Sequence, residues 1–316
     1  MSKNNKNQII VTGGVGFIGI NLVKKLIKLG YFPIIIDNFS NSNIHQLKTI
    51  SKNDYFLIRS DINNVRNILK KIEGIFPQTI IHLAALHYIP FCTKNPTKTK
   101  MVNVNGTKSI FEIVRKKKIR HMIFTSSGAV YKPSRKAHKE KDVLQPIDIY
   151  GKTKKEAEEF LFKECKQYRI NLTILRLFNI YGKYDLTPHF IPEIIKRIEK
   201  ASHIKVGNLN TERDYLYVDD LVEVFIKILK MKKNQNGIFN IGTGKAHKGI
   251  EIIELISLIA KKQIQLIENS TLKRKNDRPI LCADIKKTLN VLHWKPKHNL
   301  KNGLAKLLYE NSQKKK

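Results

Sequence analysis

The sequence predicts an α/β fold, a doubly wound parallel sheet followed by a smaller C-terminal α/β lobe. Three observations carry that expectation. Short apolar runs that read as strands alternate with helical stretches over residues 8–177, the pattern of a parallel sheet covered on both faces. The first run ends in a glycine-rich turn that opens a helix, QIIVTGGVGFIG at 8–19. The chain has 316 residues, 41% of them hydrophobic, which suits one large or two medium globular domains.

Residues 8–11 read as a short buried strand. Gly13, Gly16 and Gly19 then hold a G-x-x-G-x-x-G spacing. Gly13 can take backbone angles that a Cβ forbids. Gly16 leaves room for a pyrophosphate, and Gly19 lets the helix pack closely on the strand. Residues 17–29 read as that helix, with Gly30 as its stop. Its unpaired N–H groups and positive dipole end would face phosphates. The setting between strand and helix makes the turn a dinucleotide site rather than a plain loop. Residues 31–36 form the second strand, ending in Asp37. An acid there accepts hydrogen bonds from the adenosine ribose and repels a 2′-phosphate, which points to NAD rather than NADP. Residues 55–58 are the third strand, with Asp61-Ile62 after it. Asp61 either meets the adenine amino group or caps the chain at Asn63, and the two readings stand level.

The fourth strand, 79–83, closes on His82-Leu83-Ala84-Ala85, whose small residues let a cofactor lie across the strand end. A long helix over 95–117 carries Asn103, Asn105 and Thr107, and a buried Asn there can tie neighbouring loops together. The fifth strand, 122–125, is followed by Ser126-Ser127-Gly128-Ala129-Val130-Tyr131. Ligands of such sheets bind at the carboxyl ends of strands, where the glycine turn, Asp37, Asp61, Ala84 and Ser127 all fall. After a polar loop (132–148) comes a helix over 149–168, with Glu156, Glu158 and Glu159 expected on its wet side. Residues 172–177 are the sixth strand. From Asn179 the pattern changes to short elements with Pro188 and Pro192. The expected division is a dinucleotide-binding domain at 1–180, rejoined by 215–242, and a substrate lobe from 181–214 and 243–316.

Composition excludes several classes. No apolar run is long enough for a bilayer, and MSKNNKNQ has no signal-peptide core. Cys92, Cys165 and Cys282 stand alone, which implies a reducing, cytoplasmic setting and no structural metal. The net charge of +33, from 59 Lys+Arg against 26 Asp+Glu, raises the prospect of nucleic-acid or membrane-surface binding. No recognition motif accompanies it, so solvated basic faces are the preferred reading. The field would still draw in a polyanionic substrate.

Tyr150 and Lys154 are four apart on one helix and share a face. A free tyrosine titrates near pH ~10. A neighbouring ammonium and an oxidised nicotinamide favour its phenolate, which makes Tyr150 a usable general base or acid. Ser127, at a strand end, can bridge Tyr150 to a sugar hydroxyl.

These residues, with VTGGVGFIG (11–19), DNFSNS (37–42), HLAA (82–85), VNVNGT (102–107), TSSGAVY (125–131), YGKTK (150–154), LRLFNIYG (175–182), ERDYLYVDD (212–220) and FNIGTG (239–244), carry a resemblance that covers most of the chain in order. The chain resembles the extended short-chain dehydrogenase/reductases, within their NAD-dependent sugar-nucleotide epimerase/dehydratase group, which includes UDP-glucose 4-epimerase. The resemblance implies a Rossmann-type sheet. It makes Tyr150 the catalytic base, Lys154 its tuner and the holder of the nicotinamide ribose, and Ser127 the third catalytic member. It implies NAD contacts from Gly13, Phe17, Ile18, Asp37, Asn38, Asp61, Ile62, Ala84 and Lys154. Gly16, Gly19, Leu83, Ala85, Asn103 and Tyr150 belong to the same set. Asn179 and Arg213 match residues that hold the substrate diphosphate, where a bidentate guanidinium suits phosphate. The alternative for Arg213 is a salt bridge to Asp214 or Asp219. Arg274 and Asp277 fall near the family's R-x-G-D, here RKND without its Gly, and would meet the phosphates and the nucleotide ribose. Leu281 falls where the family tunes room for an N-acetyl group.

Dehydratases of the group commonly carry Asp-Glu after the strand Thr, and related enzymes have Glu before Val-Tyr. Here those positions are Ser126-Ser127 and Ala129. The expected activity is therefore C4 inversion of a UDP-sugar, of glucose/galactose, N-acetyl or uronic type. Lys132 and the loop His87-Tyr88-Ile89-Pro90 depart from the group's usual residues and bear on the sugar. The alternatives are a dehydratase, decarboxylase or 4-keto reductase, and a non-enzymatic nucleic-acid binder that senses dinucleotide. The Ser127/Tyr150/Lys154 set argues against the last. The resemblance further implies a homodimer through the helices at 95–117 and 149–168.

Overall fold

The computed structural model describes residues 7–231, 236–269, 272 and 278–313. In chain order the first part holds β1 (Gln8–Thr12), α1 (Phe17–Lys28), β2 (Phe32–Asp37), β3 (Phe56–Arg59), α2 (Val65–Lys71), β4 (Thr79–His82), α3 (Ile89–Lys94), α4 (Pro96–Lys100), α5 (Gly106–Lys116), β5 (His121–Ser127), α6 (Ile149–Gln167) and β6 (Asn171–Leu177). There follow β7 (Asn179–Tyr181), α7 (Phe190–Lys200), β8 (His203–Val206), β9 (Glu212–Tyr217), α8 (Val218–Lys230), β10 (Gly237–Ile241), β11 (Ala246–Lys248), α9 (Gly249–Ala260), β12 (Gln265–Glu268), β13 (Ile280–Leu281), α10 (Lys286–Leu292) and α11 (Leu300–Gln313).

Seven strands form one sheet in the order β10-β6-β5-β4-β1-β2-β3, every pair parallel. The strands are almost wholly apolar and buried, as a sheet covered on both faces requires. One face packs Ile20, Leu22, Val23 and Leu26 of α1 against Leu221, Val224, Phe225 and Ile228 of α8. The other packs Ile68, Ile110, Phe111, Val114, Ala157 and Leu161 of α2, α5 and α6. Strand order reverses between β1 and β4, so the crevice at that point faces their carboxyl ends. The doubly wound expectation holds.

A second sheet is centred on β9. β11 pairs antiparallel along one edge and β13 parallel along the other, and β7 pairs parallel with Tyr215–Tyr217 of β9. Only Phe178 separates β6 of the first sheet from β7 of the second. A two-stranded parallel pair, β8 with β12, lies beyond it. Tyr181, Tyr215, Tyr217, Ile194, Ile198, Ile252, Ile256 and Leu304 make the core of this part.

Three local expectations change. The long helix at 95–117 is broken into pieces. Pro96 sits in the first turn of α4, where its missing N–H costs nothing, and a π turn at Met101–Asn105 joins α4 to α5. The stretch 215–242 does not return to the first sheet as a block. α8 and β10 do, but β9 is the spine of the second sheet. Conversely Leu292 and Trp294, late in the chain, bury in the first core, and the Trp294 indole donates to the Asp220 carbonyl at 3.1 Å. Finally, Glu158 is not on a wet face. It is 1% exposed and bonded to Arg176.

Candidate active site

A cleft of about 980 Å3 runs from the carboxyl ends of β1, β2 and β4 to the second sheet. That is the upper end of the ~300–1,000 Å3 usual for ligand pockets. At one end, Gly13 has φ +68°, and a Cβ on it would lie 2.9 Å from the Ala84 nitrogen. A Cβ on Gly19 would run into the Gly13 carbonyl, so only glycine lets α1 approach the turn. Asp37 braces the turn by accepting from the Val15 N–H at 2.9 Å. Its other oxygen accepts from the Phe39 N–H and the Ser42 hydroxyl. Each carboxylate oxygen has two lone pairs, so acceptor capacity remains toward the cleft that Asp37 lines. These residues fit an adenosine diphosphate half of NAD.

Asp61 makes the cap: its Oδ1 accepts from the Asn63 N–H at 2.9 Å and the Asn63 amide at 3.0 Å, and its Oδ2 from Asn38 at 2.9 Å. Burial alone would raise its pKa, but these hydrogen bonds outweigh it and hold the carboxyl below its usual value. Asp61 also lines the cleft, with Asn38, Ile62, Gly16, Phe17, Ile18, Leu83, Ala84 and Ala85. Asn103 is different. It is 1% exposed and does not line the cleft. Its Oδ1 accepts from the Leu86 N–H, and its amide donates to the Leu86 carbonyl and the Thr153 hydroxyl. It ties the loop after β4 to α6, the role read for a buried Asn in this helix, and does not line the cofactor cleft.

Asp148 caps α6 by accepting from the Gly151 N–H at 2.8 Å. A Cβ at Gly151 would meet the Ala129 carbonyl, so the glycine lets α6 close on the loop after β5. Tyr150 thereby comes within hydrogen-bonding reach of Ser127, whose Oγ also accepts from the Ala129 N–H. Lys154 is 3% exposed, donates to the Thr125 carbonyl at 2.7 Å and stands 4.6 Å over the Phe124 ring. Burial pushes Lys154 down to about 7, against the pull of the Glu158 carboxylate. Burial likewise pushes the Tyr150 phenol up, with the Ser127 hydrogen bond opposing. A phenol lowered by its neighbouring ammonium is therefore not what this chain alone provides. The ammonium is directed at Thr125, and Ser127 is the group that favours the phenolate.

At the far end, Asn179 and Arg213 both line the cleft. Arg213 donates to the carbonyls of Glu212 and Arg278. Asp214 is fully buried and accepts from the N–H groups of Thr243, Gly244 and Ala283, and Asp219 pairs with Lys306 at 2.6 Å. Arg274 and Asp277 lie outside the described residues. Leu281 lines the cleft.

Two groupings went unread in the sequence. Beneath α6, Arg176 makes a bidentate pair with Glu158, at 3.0 and 2.6 Å. It also donates to the Tyr131 hydroxyl and the Glu140 carbonyl. Burial pushes Tyr131 up to about 12, so it stays protonated and donates to Asn240 at 2.7 Å. A charged residue inside the apolar run 172–178 was the available signal. In the cleft itself, His87 from the loop after β4 and His189 from the loop before α7 stand with ring centroids 5.2 Å apart. Among the described residues there is no helix long and apolar enough to cross a membrane, and no cluster able to hold a metal ion.

Comparison with known proteins places these features in a family. The family model described as GDP-mannose 4,6-dehydratase matches residues 10–307. A putative UDP-glucose 4-epimerase of Methanocaldococcus jannaschii is 32% identical over 311 residues, covering 95% of this chain and 97% of that protein. The UDP-glucose 4-epimerase of Lactobacillus helveticus is 30% identical over 311 residues, covering 92% of each. Among solved structures, the Thermotoga maritima UDP-glucose 4-epimerase with UDP-glucose superposes with a TM-score of 0.90 at 26% identity, covering 98% of this chain and all of that one.

Proposed function

The chain belongs to the sugar-nucleotide epimerase/dehydratase family whose model is named for GDP-mannose 4,6-dehydratase, and from that membership we propose that it is an NAD-dependent 4-epimerase of a UDP-sugar. The glycine turn would hold the NAD pyrophosphate and Asp37 its adenosine ribose, and Asn179 and Arg213, toward the second sheet, would hold the diphosphate of the nucleotide sugar. That division of labour between the two sheets is part of the proposal. Bound NAD supplies a hydride acceptor and donor at C4. Tyr150 takes the proton of the C4 hydroxyl, and Ser127 holds that hydroxyl and favours the phenolate as the proton leaves. Lys154 fixes the nicotinamide ribose from the Thr125 end of β5. The 4-keto sugar turns about its diphosphate, presents its other face, and recovers the proton from Tyr150. The protein works as a cytoplasmic homodimer through α4–α5 and α6, with nucleic acid not a partner.

One observation carries epimerisation over dehydration. Among the described residues, the acids that line the cleft are Asp37, Asp61 and Glu193. The first two stand at the adenosine end, and Glu193 is paired with Arg197 at 2.9 Å. Among the described residues, no carboxylate lines the cleft at Ser127 or Ala129 to expel a C6 hydroxyl. Incubation with UDP-glucose, UDP-N-acetylglucosamine and UDP-glucuronate, with products resolved by chromatography and mass, tests this. A C4-inverted product of unchanged mass supports it. Loss of water or carbon dioxide, or no inversion of any of the three, overturns it.

A further inference from the structure

We propose that His87 and His189, backed by Asp185, form the part of the cleft that reads the sugar, and that they select an uncharged, hydroxyl-bearing sugar over a uronate. This rests on the nucleotide-sugar reading above and goes beyond it by choosing among its sugars.

The two rings come from different loops and meet across the cleft that also holds Ser127, Tyr150 and Lys154. His189 Nδ1 lies 2.9 Å from Asp185 Oδ2, and the Asp185 side chain is wholly buried behind it. A carboxylate only accepts, so Nδ1 carries the proton and the neutral ring presents Nε2 as an acceptor. Paired with Asp185, the ring brings no net positive charge to this part of the cleft. His87 bonds to the Ala85 backbone and brings Nε2 to 3.5 Å from the Thr187 hydroxyl. Burial and its neighbours push His87 down to about 4, so it too stays neutral. Asp185 Oδ1 accepts from the Thr187 N–H at 3.1 Å, which locks the loop that carries both Thr187 and His189.

The chemistry follows from donors and acceptors. A sugar hydroxyl can donate to an imidazole nitrogen; a carboxylate has no hydrogen to give and meets lone pairs backed by a buried negative charge. Lys98, Lys154, Arg197, Lys205 and Arg213 also line the cleft; Lys154 is directed at the Thr125 carbonyl, Arg197 at Glu193 and the Lys205 carbonyl, and Arg213 at the Glu212 and Arg278 carbonyls. A uronate would have to desolvate its carboxylate without a compensating donor from this group.

Calorimetric titration of the NAD-loaded protein with UDP, UDP-glucose and UDP-glucuronate tests the proposal apart from turnover. UDP-glucose is expected to bind at least as tightly as UDP, and UDP-glucuronate about tenfold more weakly, the size of one pKa unit of charge interaction. Asp185→Asn keeps the acceptor for the Thr187 N–H, removes the charge and sets an amide donor against His189 Nδ1, which moves the ring proton to Nε2; it is expected to bring the glucuronate affinity back toward that of glucose. His189→Leu is expected to reduce UDP-glucose binding to that of UDP while leaving UDP itself unchanged. Equal or tighter binding of UDP-glucuronate by the unaltered protein, no binding of either nucleotide sugar, or an unchanged glucose/glucuronate ratio in Asp185→Asn overturns the proposal. Binding as expected with no inversion of any sugar would instead overturn the 4-epimerase reading and leave the sugar preference standing.

Discussion

Replacing Glu158 by Gln removes one charge from a pair whose side chains are 2% and 1% exposed. The shape is kept, so the effect is electrostatic. Breaking a buried pair typically costs about 3–5 kcal/mol, because the remaining ion is left without its counter-charge. Arg176 would keep two acceptors, the Tyr131 hydroxyl and the Glu140 carbonyl, which places the expectation at the low end, about 3 kcal/mol. At roughly 2.1 cal/mol/K per residue, 316 residues give a melting entropy of about 0.66 kcal/mol/K, so the midpoint should fall by about 5 °C. Circular-dichroism melting of the unaltered chain, Glu158→Gln, Arg176→Met and the double variant Glu158→Met/Arg176→Met measures this. All four need the same NAD saturation, since ligand stabilises only the folded state. The double variant should lose less than either single, because two apolar side chains restore a neutral interior. A single variant within about 1 °C of the parent, or a double-variant drop at least as large as that of either single, would refute the reasoning.

Tyr150→Phe should lower turnover by roughly 10²–10⁴ and leave NAD binding intact; turnover at the parent rate sinks the assignment. Lys154 has a folded pKa of about 7 against an ordinary 10.5. The folded chain therefore sheds a proton that the unfolded chain keeps, and this residue's contribution to stability rises with pH between those values. Lys154→Met should flatten that rise in urea midpoints taken at the two ends of the interval, and an unchanged slope would contradict it. Gly19→Ala drives a methyl into the Gly13 carbonyl and should abolish NAD binding in calorimetry; parent-like affinity would show that the turn is not the phosphate site.

The dinucleotide end was legible because its logic is local. Gly13, Gly16 and Gly19 announce a turn by their spacing, and the strand that ends in Asp37 is the next element. Tyr150 and Lys154 were legible through helical periodicity, and Ser127 through its place at a strand end. What was missed depends on distant partners. Glu158 sits in a run of acids that reads as solvent-facing, and only β6, 18 residues further on, supplies Arg176. Asn103 reads both as a loop tie and as a cofactor contact, and only the loop at Leu86, folded over it, decides for the tie. Nothing in the alternation of 212–217 says which sheet it joins. The proton energetics of Tyr150 follow from how deeply α6 is pressed against the loop after β5, which no spacing encodes.

Phe178 is the sole residue between β6 and β7, and its N–H is held by the Ile241 carbonyl at 3.0 Å, so the chain passes from one sheet to the other almost without a break. A hinge needs slack, and a one-residue junction offers little of it. At this crossing the spacing of the two sheets is set as the chain folds. A keto sugar that turns over within the cleft would then do so between two sheets whose spacing this junction holds.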